Sequence, residues 1–364
     1  MEALELTPYG PFVENLSLSK CDTIYDGKLS NQTLLFLAAG STACLTSSLY
    51  NPLDCLRVRW QVLPATDPIS RKGVMMFATR ILRTEGLFEG LWRPGVSANA
   101  LAMSSSAALR FGYYETFRDR LSQMSNGKTY VRVFHDVNEK RGSDMILAGL
   151  SCGAMAYFVT APFHLSKTII QSEKGMLGND GLYLNGAKTG RAPYANKGAL
   201  SLISKIVKDN GVRGLWKGSI PLSMRGALFT CGQMCGKLFF PCSKTMKRSS
   251  NIYLFQKTGY DGFKTFSKAR GADDGPLLHI AASIVAAIGA TVLSTPADFV
   301  MSRYISSDRS QSLSFIIKET YEKVGLVGFW RGSSICFARV APVILTYSAV
   351  YEQLRLTFGL GYLT

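Results

Sequence analysis

Two arginines stand at matched places in this chain. Arg225 and Arg339 each lie seven residues past the last glycine of a Gly-aromatic-basic turn, G-L-W-K-G at 214–218 and G-F-W-R-G at 328–332. The same count from a third turn, G-L-W-R-P-G at 90–95, lands on Ala102. Arg110 follows eight residues later, roughly 12 Å along a helix, and Gln233 and Tyr347 hold the matching places in the other two segments. A guanidinium fork grips a carboxylate bidentately, so two or three converging forks suit a dianion, with Gln233 and Tyr347 able to add hydrogen bonds. Arginine inside an apolar segment is costly unless it faces water, a partner or a ligand, so this pair reads as a binding site. His135, His164 and His279 are scattered and form no nucleophilic or metal-ligating constellation. No covalent chemistry, metal or cofactor is expected, and the chain does not read as an enzyme.

A second set of charges follows three prolines. The segments are P-L-D-C-L-R-V-R-W-Q at 52–61, P-F-H-L-S-K-T-I-I-Q at 162–171 and P-A-D-F-V-M-S-R at 296–303. Each ends an apolar stretch and is followed, further on, by one of the turns and a second apolar segment. A proline ring removes a backbone donor and bends a helix, so Pro52, Pro162 and Pro296 are expected kinks. If three such units close into a ring, the charges beyond the prolines converge on its axis. An internal repeat of this length defines the structural unit before its function is known.

The elements that must carry these residues are long and apolar. The 364 residues are 47% hydrophobic and only 18% charged, with mean hydropathy +0.10, too apolar for an ordinary soluble protein. Six stretches reach the roughly 20 residues needed to cross a bilayer: 31–50, 96–117, 144–162, 219–240, 277–296 and 333–351. The third mixes small, polar and large apolar residues, with Gly149 and Gly153 four apart as in closely packed membrane helices. The formal net charge of +16 lies in connections and helix ends, without the basic-aromatic clusters of a nucleic-acid binder. Anionic lipid and an anionic cargo account for it better. The eight cysteines include no CxxC pair and read as small buried hydrophobes in a reducing setting.

The tripled pattern, with its Gly-Trp-basic partners, resembles the mitochondrial carrier family over roughly residues 30–360. The resemblance implies an all-α membrane protein with six transmembrane helices in three pseudosymmetric two-helix repeats and short matrix helices. It implies a monomer working in the mitochondrial inner membrane. A matrix gate would pair Asp54 with Lys167 and Asp298 with Arg57. The third pair has lost both halves, His164 standing for the acid and Met301 for the base, which leaves no orphan charge. Gln61 and Gln171 match the family's glutamine brace, whereas Ile305 does not, so the gate is expected to be weakened. A cytoplasmic gate would use Glu115, Arg118, Glu352 and Arg355. Leu238 and Pro241 replace its pair in unit two, so only Glu352 with Arg118 forms a full bridge. Ala102, Arg225 and Arg339 fall on the family's three substrate contact points. The turns Trp92-Arg93, Trp216-Lys217 and Trp330-Arg331 would hold cardiolipin at helix ends, although an aromatic belt alone would also account for the tryptophans.

Local wording narrows the cargo. A-L-R-F-G-Y-Y-E at 108–115 resembles the Arg-x-Gly-x-Tyr segment of the oxoglutarate, dicarboxylate and uncoupling carriers. Residues 218–227 and 329–342 resemble the oxoglutarate/malate carrier. Ala102 departs from the arginine that carboxylate carriers generally place there. The expectation is exchange of a small organic anion, a di- or oxo-carboxylate, by alternating access. The alternatives are an uncoupling-type proton-leak carrier and a degenerate carrier serving as membrane scaffold or receptor.

The organisation read from this pattern is a tail at 1–30, repeat one at 31–125, repeat two at 143–248, a basic insertion at 249–275 and repeat three at 276–360. The tail opens with acidic residues and has no arginine before Lys20, unlike an Arg-rich transit peptide. Within repeat two, the Gly-rich residues 172–193 read as a flexible insertion before a short helix at 196–209.

Overall fold

A computed structural model describes residues 31–64, 67–125, 140–186, 188–195, 198–234, 276–307 and 311–358. Unit one contains α1 (Asn31–Leu49), α2 (Asn51–Val62), α3 (Pro68–Lys72), α4 (Val74–Thr84) and α5 (Val96–Ser125). Unit two contains α6 (Lys140–Val159), α7 (Ala161–Glu173), α8 (Ala199–Asn210) and α9 (Ser219–Met234). Unit three contains α10 (Pro276–Ser306), α11 (Leu313–Val324) and α12 (Ser333–Thr357). One-turn segments at Phe88–Trp92, Val212–Trp216 and Leu326–Trp330 precede α5, α9 and α12. Among the described residues there is no strand, only a single antiparallel bridge between Leu177 and Tyr183.

The prolines act where they stand. α1 and α2 meet at a bend of 67°, with Pro52 in the first turn of α2, where its missing N–H costs nothing. Pro162 opens α7 in the same way after Thr160. In unit three the helix is not interrupted: α10 runs continuously through Pro296.

The long helices close a ring. α1 packs on α5, α5 on α6, α6 on α9, α9 on α10, α10 on α12 and α12 back on α1. The post-proline segments α2 and α7 and the end of α10 touch one another pairwise inside it. By length and apolarity alone, two segments among the described residues suffice to cross a membrane: Leu326–Thr357 and the bent pair Thr33–Leu49 with Asn51–Val62. The other ring helices carry the polar and small residues that a helix turned partly toward a cavity and its neighbours needs.

The insertion in unit two is folded. Leu184 N donates to Met176 O at 2.7 Å, Gly178 N to Leu182 O at 2.8 Å and Gly190 N to Tyr183 O at 2.8 Å, so it is a small hairpin and not a flexible loop. Its glycines serve the turn, Gly181 having φ of 71°. Tyr183, within the hairpin, is buried, and burial together with the Glu173 carboxylate pushes its hydroxyl up to about 12. Helix α8 begins at Ala199, after this hairpin. Residues 1–30 and 249–275 lie outside the described residues.

Candidate functional site

Where the three post-proline segments meet, the charges form one buried cluster. Lys167 Nζ lies 2.5 Å from Asp54 Oδ2 and Arg57 Nη1 lies 2.6 Å from Asp298 Oδ2, the two pairs expected from the repeat. Arg57 also reaches its own helix at Asp54, at 3.0 Å. All four side chains are buried. His164 and Met301 are buried beside them. His164 packs against the Tyr157 ring with centroids 5.1 Å apart, and Met301 joins an apolar cluster with Leu165, Leu222 and Ile305. The vacated third pair is therefore filled by ring and thioether packing.

The brace positions obey the same symmetry. The three turn glycines, Gly95, Gly218 and Gly332, have φ of 66°, 83° and 91°, and each faces the brace position of the next unit. An added Cβ at Gly332 would stand 3.3 Å from Gln61 Cγ, at Gly95 3.2 Å from Gln171 Cγ and at Gly218 2.9 Å from Ile305 Cγ1. Glycine is thus required twice over at these turns, by dihedral and by close approach. Ser302 donates to Gln61 Oε1 at 2.9 Å. Gln171 donates to Asn51 Oδ1 at 3.1 Å, and Asn99 donates to the same oxygen at 2.9 Å. Asn51, in turn, donates to the carbonyls of Trp92 and Pro94. Sequence reading missed Asn51 and Asn99. Each lies one residue before a feature it did single out or four past a turn glycine, where no repeat marks it: Ala161 and Thr295, Leu222 and Cys336 stand at the matching places.

Above the charges lies a cavity of about 100 Å³ lined by Asp54, Arg110, Tyr157, Arg225, Arg339 and Tyr347, among others. Arg225, Arg339, Arg110 and Tyr347 are thus brought together. Arg225 is ion-paired to Asp298, and Arg339 Nε stands 3.6 Å from Asp54 Oδ1. The arginines therefore rest on the two buried acids of the cluster. Tyr157 lies under Arg225, its ring centroid 5.5 Å from the guanidinium carbon, and Gly226 leaves the space that this ring fills. Tyr347 stacks on Tyr351 with centroids 6.0 Å apart and its hydroxyl reaches Ala39 O at 3.4 Å. Ala102 is fully buried and is not among the residues that line this cavity; it lies on α5, which packs against α7.

Other predicted positions divide. Arg355 is buried near the end of α12, whereas the side chains of Glu115, Arg118, Glu352 and Gln233 lie outside the described residues. Trp216 and Trp330 donate their indole N–H groups to the backbone carbonyls of Phe158 and Val292, Lys217 donates to Ser307 O at 3.0 Å, Arg93 pairs with Glu89 on the surface at 2.7 Å, and Arg331 lies 4.5 Å over the Trp60 ring. No group of residues that could hold a metal occurs among the described residues.

Three helical units closed around a cationic cavity, with buried ion pairs sealing one end, make the architecture of a membrane transporter. The chain belongs to the mitochondrial carrier family: it matches the family described as mitochondrial carrier protein at residues 30–125, 139–240 and 272–361. It is a multi-pass transporter of the mitochondrial inner membrane and not an enzyme. It is 25% identical to a putative mitochondrial transporter UCP3 of Rattus norvegicus over 88% of this chain and 90% of the relative. It is 27% identical to the mitochondrial brown fat uncoupling protein 1 of the same species, over 87% and 90%. It is 24% identical to a probable mitochondrial 2-oxoglutarate/malate carrier protein of Dictyostelium discoideum, over 90% of each.

Proposed function

We propose that this chain exchanges a small dianionic carboxylate, of the di- or oxo-acid class, across the inner membrane by alternating access, as a monomer with six membrane-crossing helices. The observation that carries this reading is the charge balance of the cluster. Asp54 and Asp298 face four cations, Arg57, Lys167, Arg225 and Arg339, a surplus of two positive charges. Buried charge of one sign is stable only when it is compensated, and a dianion entering the cavity supplies the missing pair.

The mechanism follows from which acids the arginines hold. A dicarboxylate gripped by Arg225 and Arg339 takes these two guanidinium groups away from Asp298 and Asp54. The gate acids then keep only Arg57 and Lys167. Binding thereby loosens the ion-pair cluster in proportion to how well the cargo replaces the acids as a guanidinium partner, so binding energy is used to open the gate. Arg110, higher in the cavity, meets an anion first, and the Tyr157 ring keeps Arg225 aimed at it. Cardiolipin at the three turns belongs to the same proposal, with Arg93, Lys217 and Arg331 as its cations.

The test is uptake of labelled malate, oxoglutarate, phosphate, sulfate, aspartate and ATP by liposomes carrying the purified protein, with and without internal counter-substrate. Saturable dicarboxylate exchange that is lost in Arg225→Ala supports the reading, and no anion uptake by folded protein overturns it. A second reading is an uncoupling-type proton leak. The Arg-x-Gly-x-Tyr wording at 110–114 and the likeness to uncoupling protein 1 favour it. A pH-sensitive dye in the same liposomes tells the two apart. A scaffold role gives no reason to keep Arg225 and Arg339 in the cavity.

A further inference from the structure

The seam between units two and three lacks both devices that hold the other seams. Its ion pair is replaced by His164 and Met301, and its glutamine by Ile305, which packs on Gly218. Apart from the Arg225–Asp298 pair nearer the cavity, what remains between the post-proline segments here is apolar: Leu165, Leu202, Ile206, Leu215, Met301 and Ile305 form one cluster across it. The apolar cluster by itself supplies no directional bond on the side of the seam away from the cavity.

Just beyond that cluster two lysines of unit two cross to unit three. Lys188, carried by the hairpin, donates from Nζ to Ser306 O at 2.7 Å. Lys217, from the turn before α9, donates to Ser307 O at 3.0 Å and lies 5.2 Å over the Tyr304 ring. Ser306 ends α10 and Ser307 follows it. Carbonyls at a helix C-terminus have no intrahelical partner and carry the negative end of the helix dipole, so they are natural acceptors for ammonium groups. The hairpin is anchored on its far side as well: Asn185 Nδ2 reaches Glu85 Oε1 at 3.4 Å, and Glu85 is held by Arg59 at 2.7 Å in unit one.

We infer that Lys188 and Lys217 form a lysine clamp on the C-terminal carbonyls of α10, closing the seam between units two and three in place of the missing ion pair and glutamine, with the hairpin tying the clamp to unit one. Lys188 and Lys217 are positioning residues for the transport step: they hold the closed matrix side and must release when it opens. The inference rests on the ion-pair cluster being a gate. It does not depend on the identity of the cargo.

The experiment introduces Met301→Cys as a reporter at the seam and follows its reaction with N-ethylmaleimide by peptide-resolved mass spectrometry of the purified protein in detergent, without cargo. Lys188→Met keeps the apolar stem and removes the donor; it is expected to raise the labelling rate about tenfold, as loss of a charge-assisted hydrogen bond gives, and Lys188→Arg is expected to restore it. Lys167→Ala, which breaks the pair at the neighbouring seam, is the reference for an opened gate. An unchanged rate in Lys188→Met with a raised rate in Lys167→Ala overturns the clamp and leaves the gate standing. No change in either overturns the gate reading and the clamp with it. Should Lys188→Met fail to fold, Lys188→Gln is read by the same criteria.

Discussion

Trp216 donates its indole N–H to the carbonyl oxygen of Phe158 at 3.1 Å, and Phe158 lies four residues before Pro162. Proline has no N–H to return to the carbonyl one turn behind it. The tryptophan of the downstream turn satisfies the acceptor that the proline leaves open. Unit three repeats the arrangement: Trp330 donates to Val292 O at 3.0 Å, four residues before Pro296. The Gly-aromatic-basic turn and the distant proline are thus two halves of one hydrogen bond.

Trp216→Phe and Trp330→Phe keep the ring and delete the donor, leaving a carbonyl without its partner. Each is expected to lower stability by about 1–3 kcal/mol. Thermal unfolding of the detergent-solubilised protein measures it, and a midpoint equal to that of the parent in both variants would contradict this role.

Asp54 is the acceptor for Lys167, Arg57 and Arg339 together. Asp54→Asn removes the charge that compensates three buried cations, and breaking a buried pair in this way costs about 3–5 kcal/mol. Thermal unfolding should show a larger loss than for either tryptophan variant. Adding a dicarboxylate that enters the cavity should recover part of it.

Gly226 has a packing reason that its place beside Arg225 conceals, since a Cβ there would meet the ring of Tyr157. Gly226→Ala is expected to displace that ring and the guanidinium lying over it. Exchange in liposomes should fall at least about tenfold through a weaker apparent affinity, as misplacement of one bidentate anchor implies, while Tyr157→Phe should stay close to the parent because the ring, and not its hydroxyl, supports Arg225. Equal activity of Gly226→Ala and parent would sink the idea.

Glu85 holds Arg59 through two contacts, Nη1 to Oε2 and Nη2 to Oε1, both 2.7 Å, with both side chains almost wholly buried. Glu85→Ala leaves Arg59 with the Gly90 carbonyl at 3.0 Å as its remaining acceptor. A loss of about 3–5 kcal/mol is expected, whereas replacing both by Met and Leu should recover most of it; denaturation of the single and double variants decides.

Much of this molecule can be read from its chain. Spacing between prolines, charges and turns defined three equivalent units whose charges must converge on a common axis, and the resemblance to the carrier family then implied the pairing of Asp54 with Lys167 and of Asp298 with Arg57. The same count found Arg225 and Arg339. Tertiary structure decided what no spacing encodes. Arg225 and Arg339 hold Asp298 and Asp54, since bonding depends on how deeply each helix sits in the ring. Ala102 is buried on α5, which packs against α7. The Gly-rich insertion, whose composition suggested a mobile loop, folds because its backbone pairs with itself and Tyr183 finds a place to be buried. Repetition reports what the three units share; where one unit departs, only packing against its neighbours determines what takes over.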